Sequence, residues 1–164
     1  MKLKRERASL PQGYVAADAE AELLPWSYVD DRMAAARHYW LCTVSSGGAP
    51  HSRPVGGMWL DGKLYLGGSP QSKWARNLLE NPRVCLNLSE VEGEADQTVI
   101  LHGRIEVRRA DHELGTRLVA ASNEKYPYEQ TVEQYEGEII LELVPETVFA
   151  WTELGNATRW SLEE

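Results

Sequence analysis

Positive charge is scarce in this chain. Its 164 residues hold 17 Lys and Arg against 25 Asp and Glu, for a formal net charge of −8 and a pI near 5.1. Binding to phosphate backbones or to an anionic membrane needs the opposite balance, so neither nucleic acid nor membrane is expected as a partner. Long apolar runs are missing too, since no stretch approaches the ~18 residues of a membrane span. Residues 1–7 are basic, but no apolar signal core follows them, and a cytoplasmic protein is the expectation.

Cysteine is equally sparse. Cys42 and Cys85 are the only two, each inside an apolar strand-like run, 40–44 and 84–88. Buried free thiols in a reducing compartment are expected. The four histidines, His38, His51, His102 and His112, show no ligand spacing, so no metal site is expected. His102, beside Gly103, reads as a packed or interface histidine. His51 is kept as a candidate for substrate contact. No Ser–His–Asp or Cys–His set and no carboxylate pair stands out, so nucleophilic or acid–base chemistry has no visible carrier. Repeats and low-complexity runs are lacking, and the length fits one domain with a real core.

What is present centres on residues 67–82. Ser69 can cap a helix with Pro70 at its first position, and the helix must stop before Pro82. Helical spacing puts Ser69, Ser72, Lys73 and Arg76 on one face and Trp74, Ala75, Leu78 and Leu79 on another. The first face gathers hydroxyls and cations at the positive end of a helix, a setting suited to phosphate. The same residues would also make an ordinary capped helix with solvated charges.

Just before it, residues 51–68 read as a hairpin around Asp61-Gly62, a dipeptide suited to a type I′ turn. A two-residue turn sets Leu60 opposite Lys63, Trp59 opposite Leu64 and Met58 opposite Tyr65. Continued, it sets Gly56 opposite Gly67, Val55 opposite Gly68 and Pro54 opposite Ser69. Gly56, Gly57, Gly67 and Gly68 then form a patch without side chains, and Arg53 lands at the mouth of the helix. Such a patch fits a flat ring read by backbone groups, or else a bulge or barrel corner.

The rest of the chain follows in order. Residues 1–25 read as an arm with turns at Pro11, Gly13 and Pro25. A helix runs from Ser27 or Tyr28 to Arg37, striped by Val29, Met33 and Ala36. Strands are expected at 39–45, 83–89, 98–107, 138–143 and 148–151. Residues 90–96, including Gly93, read as a solvated loop. A second helix spans 110–124 with Asp111 as N-cap; Tyr126-Pro127-Tyr128 breaks it, and 131–135 forms a short turn. In 138–143 the face of Glu138, Ile140 and Glu142 reads as wet. Six tryptophans read mostly as core or interface anchors. Short antiparallel strands with intervening helices make a mainly β, α+β fold: a small antiparallel barrel with peripheral helices.

These residues resemble the pyridoxamine 5′-phosphate oxidase-like family, the flavin-binding split β-barrels. The resemblance rests on Arg53-Pro54-Val55, the Asp61-Gly62 turn, Leu64-Tyr65-Leu66, Ser72-Lys73, Asn81-Pro82-Arg83-Val84, and the strand from Val99 to Arg104. It covers roughly 26–160, within a split-barrel domain of 26–164. It implies a homodimer with two FMN sites at the interface. It implies that Arg53, Ser72 and Lys73 hold the phosphate, and that Val55, Gly56, Gly57 and Met58 line the ring with backbone. Thr98 would contact the flavin from the partner subunit. Thr158-Arg159-Trp160 resembles the tail that closes over the cofactor, with Trp160 as a cover. Some features depart from the family. Trp74 stands where a second cation is usual, for which Arg76 could compensate. The tail Arg159-Trp160-Ser161 has no histidine, and Arg117 is followed four residues on by Ala121 rather than serine, so vitamin B6 phosphate is not the expected substrate. The chain also resembles relatives that bind the deazaflavin F420.

The leading expectation is therefore an FMN-dependent oxidoreductase, with F420 as the alternative cofactor. A binding or carrier protein without turnover would use the same site. A nucleic-acid-binding barrel is opposed by the charge.

Overall fold

The computed structural model describes residues 2–14, 21–69, 71–92, 95–127 and 129–163. Pro70, Gly93 and Tyr128, invoked above, lie outside them. Nine strands and three helices follow in this order: β1 (Lys2–Arg7), α1 (Trp26–Ala35), β2 (Tyr39–Val44), β3 (Pro50–Val55), β4 (Gly57–Leu60), β5 (Lys63–Leu66), α2 (Lys73–Glu80), β6 (Arg83–Glu92), β7 (Ala95–Arg109), α3 (His112–Lys125), β8 (Ile139–Trp151) and β9 (Thr158–Glu163). All pairings are antiparallel, in the order β1-β9-β8-β7-β6-β2-β3, with the β4–β5 hairpin attached to β8 through β5. The first half of β8 lies between β5 and β7 and its second half between β9 and β7. This is an antiparallel split barrel with peripheral helices.

Local chemistry accounts for several boundaries. Asp61 and Gly62 have φ of 53° and 74°, as a type I′ turn requires, and the pairs Leu60–Lys63, Trp59–Leu64 and Met58–Tyr65 form as expected. Asp111 caps α3 by accepting from the Leu114 amide at 2.8 Å. Helix α1 buries Val29 and Met33 against a core that includes Leu41, Leu64, Leu86, Leu101 and Leu143.

The hairpin pairing stops at Gly57–Leu66, so the expected Gly56–Gly67, Val55–Gly68 and Pro54–Ser69 pairs do not form. The reason is a side chain remote in sequence. The Gly57 N–H donates to the Tyr126 hydroxyl at 2.9 Å instead of to a ladder, and the chain turns off at Gly56 to let β3 pair with β2.

Other expectations are corrected. Within the arm, Lys2–Arg7 is an edge strand on β9. Of the expected 90–96 loop, residues 90–92 continue β6 and residues 95–96 continue β7, whose pairing reaches Glu92–Ala95. The two late strands are one, β8, which passes a bulge opposite His102 and Gly103; Pro145, which lacks an N–H, sits there without breaking a ladder. The N-cap of α2 is Ser72, whose hydroxyl accepts from Ala75 N, not Ser69. Ser69 instead accepts from the Gln71 amide at 3.2 Å. On α2, Leu79 is 67% exposed, while Asn77 is buried with Ala75 and Leu78.

Glu142, expected on the wet face, is 2% exposed. Its carboxylate accepts from Lys63 Nζ and, at 3.0 Å, from Arg108. Burial alone would raise its pKa, but the hydrogen bonds from Lys63 and Arg108 outweigh that and hold the carboxyl below its usual range.

Candidate functional site

Strand β2 alternates cleanly: Tyr39, Leu41 and Thr43 are buried, while Trp40 and Val44 are exposed. Arg53 stands opposite Leu41 and His51 opposite Thr43, so both sit on the sheet face that β2 turns inward. Helix α2 packs on that same face against β2 and β3. It is pinned there by Asn77 Nδ2 donating to the Thr43 hydroxyl at 3.0 Å, a buried bond. The geometry therefore puts Arg53 on the α2 side of the sheet, by β2–β3 pairing and not by the hairpin register.

The N-terminal turn of α2 carries Ser72 and Lys73. Its first amides have no acceptor within the helix and add a partial positive charge. Among the described residues, neither Arg53 nor Lys73 forms an ion pair, and both are exposed. Arg76 is occupied, donating to the Gln71 carbonyl at 2.9 Å and bracing the turn before the helix.

The glycines do not form one bare shelf. A side chain at Gly56 would meet the Tyr126 hydroxyl at 3.1 Å, and one at Gly68 would meet the Trp74 ring at 2.9 Å; only Gly67 is open. Gly68 has φ of 138°, so both backbone and ring demand glycine there. Val55 and Met58 bury their side chains in the two core clusters, which leaves only their backbone for a ligand.

Thr98 is 5% exposed on β7. Three strand spacings separate β3 from β7, about 14 Å, so Thr98 does not join Arg53 within one chain. Arg159 lies on β9 and pairs with Glu6 of β1. Trp160 is corrected outright: it is 1% exposed, edge-on to Trp26 at 5.7 Å, a core residue with no face left to cover a ligand. Its strand, β9, is pinned between β8 and β1, so the tail is not a free flap.

His102 is exposed, edge-on to Phe149, with Nε2 3.9 Å from Cys85 Sγ. The cysteines are free but half-buried, not buried, and stand opposite each other on β2 and β6. Among the described residues, no group of three or more His, Cys, Asp or Glu could hold a metal, and no helix is long and apolar enough to cross a membrane.

One network had no counterpart in the sequence reading. Lys125 Nζ donates to the Tyr39 hydroxyl at 2.8 Å and to Gly57 O at 3.2 Å. The Tyr126 hydroxyl donates to Arg37 O at 2.9 Å while accepting from Gly57 N. Both polar groups of Gly57 are thus held from the end of α3. Tyr126-Pro127 signalled only a helix stop, and nothing local linked it to Gly57, 69 residues away.

The sequence profile of the pyridoxamine 5′-phosphate oxidase family matches residues 28–152. Among solved structures, a conserved hypothetical protein from Mycobacterium tuberculosis is 22% identical, with TM-score 0.65, covering 88% of this chain and 90% of its own. A heme binding protein from Mycobacterium smegmatis is 22% identical at TM-score 0.64, covering 84% of this chain and 58% of its own. A FAD-binding protein from Mesorhizobium loti is 20% identical at TM-score 0.59, covering 85% and 96%. At these identities the likeness is one of fold. No curated protein matches the chain.

Proposed function

The chain belongs to the pyridoxamine 5′-phosphate oxidase family, and from that premise we propose that it is a flavin-dependent oxidoreductase binding FMN at the junction of β3 and α2. The observation that carries the reading is the pair Arg53 and Lys73. Two exposed cations without ion-pair partners among the described residues share a sheet face with a helix N-terminus. That donor set fits a phosphate monoester.

The flavin, when bound, supplies the hydride and electron chemistry. This chain's residues bind and orient. Arg53, Lys73 and the first amides of α2 hold the phosphate, with Ser72 capping that turn. The backbone of Val55, Gly56 and Met58 is offered to the ring edge, Gly57 being held by Tyr126 and Lys125, and the Tyr126 hydroxyl stands over Gly56 at that edge. Arg76, committed to Gln71 O, steadies the turn. Vitamin B6 phosphate is not the proposed substrate, because Arg117 is committed to Asp61 at 2.7 Å and no serine follows it by four.

Two copies are proposed to complete the site. The outward sheet face exposes Trp40 at 50% and Val44 at 36%, which suits an apolar interface. Thr98 and Arg159 are proposed to approach the partner's flavin.

The test is FMN titration of wild type, Arg53→Ala and Lys73→Ala by fluorescence quenching. Losing one charge-assisted bond of about 1.5–3 kcal/mol weakens FMN by roughly 10- to 150-fold. Unchanged affinity for both FMN and F420 in both variants refutes the site. F420 bound in preference to FMN selects the deazaflavin reading of the same site. A bound flavin that NAD(P)H does not reduce selects the carrier reading.

A further inference from the structure

The apolar interior runs past its cover at one end of the barrel. Residues two apart on a strand share a face, so three rows can be followed across β5, β8 and β7. The first is Leu64, Leu143 and Ile105, all buried. The second is Leu66, Leu141 and Val107, and here Val107 is 55% exposed. The third is Ile139 and Arg109; β5 has ended by then, and Ile139 is 63% exposed. Helix α2 borders the same opening with Trp74 and Leu79. Leu79, 67% exposed, lines it instead of joining the core.

The opening is a groove of about 460 Å³, within the size range of small-molecule sites. Single exposed apolar side chains are ordinary. Here three of them, from α2, β7 and β8, border one groove with the more buried Leu66, Leu141 and Trp74. A contiguous apolar surface of that kind marks a binding surface, and its concavity suits a small ligand. Its polar lining is sparse. Arg109 donates to Gly137 O, a neutral carbonyl, and pairs with no carboxylate among the described residues. A guanidinium has five N–H groups in a planar fork, so donors remain for a ligand. Glu138 is the one acidic side chain lining the groove among the described residues. It is exposed, and its charge disfavours a dianion beside Arg109.

We propose that this groove binds an amphipathic monocarboxylate with an unbranched apolar chain. The chain lies against Leu66, Leu141 and Trp74, between Leu79 on one side and Val107 and Ile139 on the other, and the carboxylate meets Arg109. The apolar side chains act by removing the ligand's methylenes from water. Arg109 selects the head group by charge and by the match of its fork to a carboxylate. One guanidinium matches one negative charge, which separates this groove from the two-cation phosphate site at Arg53 and Lys73. The proposal uses neither of those residues and stands whether or not the chain binds a flavin.

The test is calorimetric titration of the whole protein with octanoate, hexanoate and 1-octanol. One octanoate per chain is expected. Hexanoate is expected to bind roughly tenfold more weakly, the effect of two buried methylenes. Arg109→Gln is expected to weaken octanoate about threefold, as for an exposed ion pair, and to leave 1-octanol unchanged. Leu79→Glu and Ile139→Glu change exposed positions that folding does not need. Each is expected to weaken octanoate and 1-octanol roughly tenfold or more with Tm unchanged. The proposal is overturned by the absence of saturable octanoate binding, by several octanoates per chain, or by equal affinities for hexanoate and octanoate. It is also overturned if Arg109→Gln leaves octanoate unchanged or weakens 1-octanol as much, or if both groove variants bind octanoate like wild type. Self-association abolished by Leu79→Glu overturns it too, since a second copy of the chain is then the occupant.

Discussion

Glu142→Gln isolates the charge at the centre of the β5–β8–β7 junction. The wild-type carboxylate is 2% exposed and accepts from two cations, Lys63 and Arg108. The amide keeps the shape but presents one donor where an acceptor stood, so one cation loses its bond. A hydrogen bond to a charged group contributes about 1.5–3 kcal/mol. Lys63 and Arg108 are 37% and 42% exposed, so water compensates whichever is released, and a net loss of about 2 kcal/mol is expected. For a chain of this size that is a fall of about 4–8 °C in Tm. The pH dependence carries the sharper test. The Glu142 pKa is lowered on folding, so its contribution is complete above the unfolded carboxyl pKa, about 4.3. It is lost as pH falls through the lower folded value. Urea unfolding at pH 7 and in steps down to pH 3 should show the wild-type advantage shrinking over that window. Equal stability at pH 7, or a gap unchanged at the acid end, would refute the ion-pair account.

Two further substitutions probe the backbone irregularities. Gly103→Ala puts a methyl 2.3 Å from the Val144 carbonyl oxygen, a backbone atom that cannot swing aside; a loss of about 3 kcal/mol is expected, measured by thermal unfolding, and an unchanged Tm contradicts the bulge geometry. Tyr126→Phe removes the acceptor of the Gly57 N–H and should cost about 1–3 kcal/mol in urea unfolding; a neutral result means that amide finds water.

Much of this was legible because the deciding interactions are local. Asp61-Gly62 can turn in few ways, and the register follows from its two-residue length for as long as the ladder continues. Asp111 caps a helix through an amide three residues on. Where expectation failed, the deciding partner was remote. Alternation put Glu142 with the solvent because a lone carboxylate usually reads as wet; its partners are 79 and 34 residues away in sequence. Lys2–Arg7 has the composition of an arm, yet an edge strand needs only backbone pairing on one side, which β9 supplies. Trp160 looked like part of a closing tail, but a tryptophan alternating with polar neighbours on a strand paired on both sides points either fully in or fully out, and here it points in.

The site's position depends on where the hairpin ladder gives out. Had pairing continued past Gly57, β3 would have stayed with β5, and Arg53 would have been fixed by the Asp61-Gly62 register. Instead the Gly57 amide is taken by Tyr126, and β3 follows β2 while β4 stays with β5. The split leaves α3 seated on β4 and α2 on β2 and β3, one helix at each side of the break. Arg53 and helix α2 are both positioned through β2: the first by ladder pairing to Leu41, the second through Asn77 and Thr43. The Asn77–Thr43 bond is then the tie that holds the two proposed phosphate ligands in relation. Loosening it would separate them without touching either.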